Sequence, residues 1–264
     1  MQACRWYYET AFNFTTNLTH MTYCVALLLD HGLVFASDTR TNAGVDQVAV
    51  FPKMHVFEQR DERVIVMLTA GNLGVTQSVV NRLREAVKAG EEKNLHTISS
   101  LFEAAELVGN EMRLAYERDA EHLKNHNAEF NASILIGGQI KGEEPRLFNV
   151  YAAGNFIEPC LETPYFQIGE TKYGKPIIDR VVRHDSDLMD VVKCVLISFD
   201  STIRSNISVA APIDLMLYRN DSFHADCKQR ITEQDPYYAS VRQGWSDGLK
   251  EVFHELPNPD WCKF

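Results

Sequence analysis

The sequence predicts an α+β domain in four layers, αββα, with two stacked and mainly antiparallel sheets between two layers of helix. Three observations point there. The predicted elements run in the order sheet, two helices, sheet, two helices, strands and a final helix. The strand-rich runs are mostly continuous rather than alternating, as in strands buried on both faces. The helical segments each carry one apolar stripe, as in helices that cover a sheet from one side.

Met21 to Asp30 reads as an apolar strand, His31-Gly32 as a tight turn, and Leu33 to Asp38 as a second strand ending on a carboxylate. A hairpin returns its first residues beside its last, so Thr22 and Asp38 are expected together at one open end of a sheet. A loop at Thr41 to Asp46 leads to short runs at Gln47–Phe51 and Lys53–Phe57, and a polar turn at Gln59–Glu62 to a strand over Arg63–Thr69. Val75, Val79, Leu83 and Val87 then give a helical stripe over Asn72–Val87, and Ser100-Leu101-Phe102-Glu103 fits a capping box for a second helix. Strands are expected at Ala132–Gly138, Arg146–Tyr151 and Phe156-Ile157, and a helix over Thr171–Val182. A further helix from Asp187 is capped by Ser186, and strands follow at Ile207–Val209, Ile213–Leu217 and Cys227–Ile231. Asp235-Pro236 announces the last helix, with Val241, Trp245, Leu249 and Val252 as its stripe.

With 264 residues and 45% apolar side chains the chain can bury a full core, read here as one domain over residues 21–264. The formal net charge of −10 argues against a nucleic-acid partner. No run approaches the roughly 20 apolar residues of a membrane helix, so no membrane association is expected. The six cysteines form no C-x-x-C pair and read as buried or free thiols of a reducing compartment, which with the missing secretion signal points to the cytoplasm. Residues 1–20 are aromatic and polar without a clear period; they read as an N-terminal extension, a short propeptide or, the favoured reading, an over-long gene prediction starting ahead of Met21. A methionine followed by a small residue is removed in cells, which would leave Thr22 with a free amine.

A threonine hydroxyl needs a base to become a nucleophile, and a terminal threonine carries one: an α-amine with a reference pKa of about 7.7–8.0. Lys53 would supply positive charge beside the Thr22 hydroxyl and amine, and Asp38 would hold that ammonium group in place. Gly71, where a buried strand turns into a helix, would present its N–H to an oxyanion with the positive helix end behind it. Singly, each residue has an ordinary role: strand threonine, turn acid, surface ion-pair lysine, packing corner. Their order and spacing together carry the argument. No cofactor or metal is needed; His122 and His126 are four apart but lack a third ligand and read as a solvated helix end. Cys24, inside a strand, reads as packed.

The ordered set Thr22, Ser37-Asp38-Thr39-Arg40, Lys53 and Thr69-Ala70-Gly71 resembles the β-type subunits of the proteasome family. Met21-Thr22-Tyr23-Cys24-Val25-Ala26 and Thr39-Arg40-Thr41-Asn42-Ala43-Gly44 bring it closest to the bacterial ancestral β-subunit group, Anbu. The resemblance implies the sandwich fold of N-terminal nucleophile hydrolases, threonine-type peptidase activity on a peptide or amide substrate, and self-association into a ring or open spiral. It carries the roles above onto Thr22, Asp38, Lys53 and Gly71. It also implies that His55, Thr69 and Leu73 line a pocket for a medium-sized apolar or mixed side chain. The chain departs from the family pattern at Gly169-Glu170-Thr171, where a Gly-Ser-Gly segment is expected. It departs again at Arg204-Ser205-Asn206-Ile207-Ser208, where Ser208 matches the family serine but Ser205 stands for an aspartate. Glu170 either replaces a missing contact or is an acid at a helix start. Two other readings stay open: hydrolysis of a small or non-ribosomal amide, and a self-assembling scaffold with a weak site.

Overall fold

The computed structural model describes residues 22–42, 48–126, 128–225 and 227–261. The proposed extension, residues 1–20, and most of the loop after Thr41 lie outside the described residues. In chain order the elements are strands β1 (Tyr23–Leu29), β2 (Gly32–Asp38), β3 (Arg40–Asn42), β4 (Val48–Val50), β5 (Met54–Gln59) and β6 (Arg63–Gly71), then helices α1 (Leu73–Ala89) and α2 (Leu101–Asn125). Strands β7 (Ala132–Ile140), β8 (Arg146–Val150), β9 (Phe156–Ile157) and β10 (Tyr165–Gly169) follow, then helices α3 (Lys175–Val181) and α4 (Leu188–Ser205). Strands β11 (Ile213–Arg219) and β12 (Cys227–Ile231) and helix α5 (Pro236–Glu255) complete the described chain.

One five-stranded sheet runs β10-β1-β2-β11-β12 and another β5-β6-β7-β8-β9, with every pairing antiparallel. Side chains that alternate along β1 separate two apolar layers, because successive strand residues face opposite ways. Tyr23, Val25 and Leu27 pack with Val191, Val195 and Phe199 of α4, while Cys24 and Ala26 pack against Val66 and Leu68 of the second sheet. On the far side, Ile65 and Met67 of β6 meet Val75, Val79 and Leu83 of α1 and Leu101, Val108 and Met112 of α2. These are the four layers that the patterning predicts.

The differences lie at the edges. Asp187, not Ser186, caps α4, accepting from the N–H groups of Met189 and Asp190 at 2.8 and 3.3 Å, while the Ser186 hydroxyl accepts from Arg183 N–H. Residues 207–209 form a turn closed by Val209 N–H on Asn206 O (3.2 Å) rather than a strand, and Ile207 is exposed. The helix expected over Thr171–Val182 begins only at Lys175, after a turn. Strand β10 was not foreseen, and it places residue 170 beside Thr22. On α5, Tyr238 is buried and Val241 packs against the core, but Leu249 and Val252 are exposed, so half of the expected stripe is not core in the single chain.

Candidate active site

The β1–β2 register pairs Cys24 with Ser37, which sets Tyr23 beside Asp38 at the end of the hairpin. Tyr23 N–H donates to Asp38 Oδ1 at 3.0 Å. The tyrosine side chain anchors this strand end from the other face. Its ring lies 4.6 Å from that of Phe199, its hydroxyl donates to Ser198 Oγ at 3.1 Å, and it accepts from Gln167 Nε2. Because Tyr23 faces the helices, alternation directs Thr22 with Cys24 toward the space between the sheets. Thr22 is 4% exposed, at the mouth of that space.

Lys53 immediately precedes β5 in the opposite sheet. Its backbone is tied to β6 by Thr69 N–H donating to Lys53 O at 3.0 Å. Its side chain crosses to the first sheet, where Nζ donates to Asp38 Oδ1 at 2.7 Å and to Arg40 O at 2.6 Å. Asp38 Oδ1 therefore joins the residue after Thr22 to a buried ammonium group. Burial pushes the Asp38 carboxyl up to about 6 against the opposing pull of Lys53, so the pair is charged at neutral pH. Cys24 is fully buried, its thiol pushed up by burial and donating to Thr69 O at 3.6 Å, which suits packing rather than nucleophilic chemistry.

Gly71 ends β6 with φ +101°, and a Cβ there would sit 2.1 Å from Asn131 O, so the corner requires glycine. Asn72 caps α1, its Oδ1 accepting from Val75 N–H at 3.2 Å, and the helix N-terminus opens directly after Gly71. His55, Thr69 and Leu73 gather on the α1 side. His55 pairs with Met67, Thr69 lies two residues along the same face, and Leu73 is the first residue of α1. Arg84 of α1 donates to His55 Nδ1 at 3.0 Å; burial and this cation push the imidazole down to about 4, keeping it neutral.

On the remaining side, β10 pairs with β1 and Glu170 N–H donates to Thr22 O at 2.6 Å. Glu170 is buried, and its Oε2 accepts from Asn206 Nδ2 at 2.8 Å. Asn206 Oδ1 in turn accepts from the N–H and the hydroxyl of Ser208, at 3.0 and 2.5 Å. Ser208 thus lies in the cluster, whereas Ser205 ends α4 exposed and Asn206 stands in the network instead. The sequence reading missed Asn206 and leaned toward Glu170 as an acid at a helix start. Reading Tyr165–Gly169 as a strand would have set residue 170 opposite Thr22.

The proteasome subunit family profile matches residues 19–215. The ancestral β-subunit Anbu of Yersinia bercovieri is 50% identical with TM-score 0.86, over 90% of this chain and 100% of that one. Anbu from Hyphomicrobium sp. strain MC1 is 47% identical with TM-score 0.84, over 90% and 100%. The structure described as a helical assembly of the Anbu complex from Pseudomonas aeruginosa is 44% identical with TM-score 0.86, over 90% and 98%. No curated protein matches the chain. Among the described residues no helix is long and apolar enough to cross a membrane.

Proposed function

Because the chain belongs to the proteasome subunit family, we propose that it is a threonine-type amide hydrolase that uses Thr22 as its nucleophile once the preceding residues are removed. The observation that carries this reading is the buried Lys53–Asp38 pair, held against the N–H of the residue after Thr22. A cation confined there favours the alkoxide form of a neighbouring hydroxyl and costs nothing to reorganise during the reaction.

The step follows from the residues. The free α-amine takes the Thr22 hydroxyl proton as Oγ attacks the substrate carbonyl carbon. The carbonyl oxygen becomes an oxyanion beside Gly71 and the N-terminus of α1. The amine then gives its proton to the departing nitrogen, leaving an acyl ester on Oγ that water cleaves. The neutral His55, with Thr69 and Leu73, suits a medium-sized apolar or mixed side chain in a peptide substrate. The site is freed once Met21 and anything ahead of it are absent, so that the chain begins at Thr22, in a protein seated in the cytoplasm. The helical assembly of the Pseudomonas relative supports self-association of this chain as well.

The test is labelling by a β-lactone or peptide epoxyketone on protein whose chain begins at Thr22. Thr22 should carry the adduct and Thr22→Ala should carry none. Equal labelling of the variant refutes the reading. Turnover of short amides without turnover of casein would instead favour a small or non-ribosomal substrate.

A further inference from the structure

We propose that Glu170 is the counter-charge of the free Thr22 α-amine, and that it sets the pH at which this amine works as a base. The proposal rests on the reading of Thr22 as a terminal nucleophile and adds the group that positions its amine. The backbone places Glu170 there. The β1–β10 register pairs Tyr23 with Gly169, and one step further Glu170 N–H meets Thr22 O at 2.6 Å. Gly169 makes this approach possible, since with φ +84° a Cβ on it would lie 1.8 Å from Thr22 O. Residues opposite one another in an antiparallel pair have Cβ atoms about 4.5–5.5 Å apart, which brings the carboxylate within one side chain's reach of the amine.

The charges make the same point. Glu170 is 7% exposed, and a buried carboxylate is costly without a cation. Its Oε2 takes a neutral amide N–H, from Asn206. Its Oε1 has Lys172 Nζ at 3.4 Å, on a side chain 68% exposed and screened by water. Asp38 and Lys53, the other charged groups of the site, neutralise each other at 2.7 Å. An ammonium at the Thr22 terminus supplies a counter-charge withdrawn from water, where Lys172 supplies only an exposed one. Asn206 fixes the geometry of the arrangement. Its Nδ2 is committed to Glu170 and its Oδ1 to the Ser208 N–H and hydroxyl, so the Ser208 hydroxyl proton is spoken for and its lone pairs remain free to accept. An ammonium with three donors then meets two acceptors, the Glu170 carboxylate and Ser208 Oγ.

An opposite charge nearby favours the charged form of the amine, so Glu170 raises its pKa and delays the onset of activity with rising pH. The test measures the amine directly, without turnover. Protein cleaved to begin at Thr22 is acylated with acetic anhydride across pH 5–10, and the terminal peptide is quantified by mass. Glu170→Gln should move the midpoint down by about one unit or more, Glu170→Asp should restore most of it, and Asn206→Asp should move it up. Midpoints unchanged in both Glu170→Gln and Asn206→Asp overturn the proposal. Failure of β-lactone labelling at Thr22 with these shifts intact would instead sink the hydrolase reading alone.

Discussion

The ammonium of Lys53 sits 2.7 Å from Asp38 Oδ1 with both side chains withdrawn from water, and the two residues belong to opposite sheets. The pair is thus both a charge device and a clamp across the inter-sheet layer. Lys53→Met leaves Asp38 buried without its partner, which costs about 3–5 kcal/mol. Chemical denaturation should show that loss, together with loss of β-lactone labelling. The double variant Lys53→Met with Asp38→Asn should recover much of the stability and none of the labelling. A double variant that labels normally would show that the pair serves the fold only.

Asp38 has opposite effects on fold and on chemistry as pH changes. Burial raises its carboxyl from 3.8 to about 6. A group raised in the folded state contributes stability that is full below its unfolded value and lost as pH rises through its folded value. Asp38's own share of stability is therefore complete below about 3.8 and gone above about 6. Activity runs the other way, since the Lys53 clamp needs the carboxylate. The amine already gives log rate a slope of 1 against pH below its own pKa. Protonation of Asp38 adds a second proton, so the slope of log kcat/KM should steepen toward 2 below pH about 6 while the fold persists. A single slope down to pH 5 contradicts this.

His55 behaves in the reverse sense. Burial and Arg84 hold its folded value near 4, against 6.5 for a free imidazole. The unfolded chain takes up the proton first, so His55's contribution to stability is lost as pH falls from 6.5 toward 4. Imidazole NMR should find His55 neutral at pH 5.5, with Nδ1 as the acceptor of the Arg84 bond. Arg84→Leu should raise the titration toward 6.5. A tripeptide panel should show a preference for apolar or mixed side chains, and a strict acidic or basic preference would overturn the pocket assignment.

Much of this was legible in the sequence because it rests on local rules. The hairpin turn at His31-Gly32 and the carboxylate closing its second strand put Thr22 beside Asp38, and the switch from continuous to 3.6-residue spacing located α1 and α2. Lys53 was legible by order and spacing, although its crossing between sheets is a tertiary fact. What was hidden depended on partners distant in sequence. Tyr165–Gly169 is a short run of five residues that becomes a strand by pairing with β1. Without that pairing Glu170 looks like any acid ahead of a helix. Asn206 was overlooked because spacing pointed to Ser205, yet the chain leaving α4 turns so that Asn206 points inward and Ser205 outward. The stripe on α5 located the helix, but apolar periodicity does not say which surface covers it.

That stripe carries the last prediction. Leu249, Val252, Phe253 and Leu256 share one side of α5 and its end, each more than half exposed, and Trp261 beyond them is 83% exposed. Apolar side chains gathered in this way on one helix face mark a contact surface. With the self-association proposed above, a second copy of this chain is the occupant tested. Sedimentation of the protein should reveal species much larger than the 30.0 kDa chain. The pair Val252→Glu and Phe253→Glu sets two charges on that side without touching a buried residue. It should shift the protein toward small species with an unchanged circular dichroism spectrum and unfolding midpoint. An unaltered size distribution would remove α5 from the contact and leave the assembly to other surfaces.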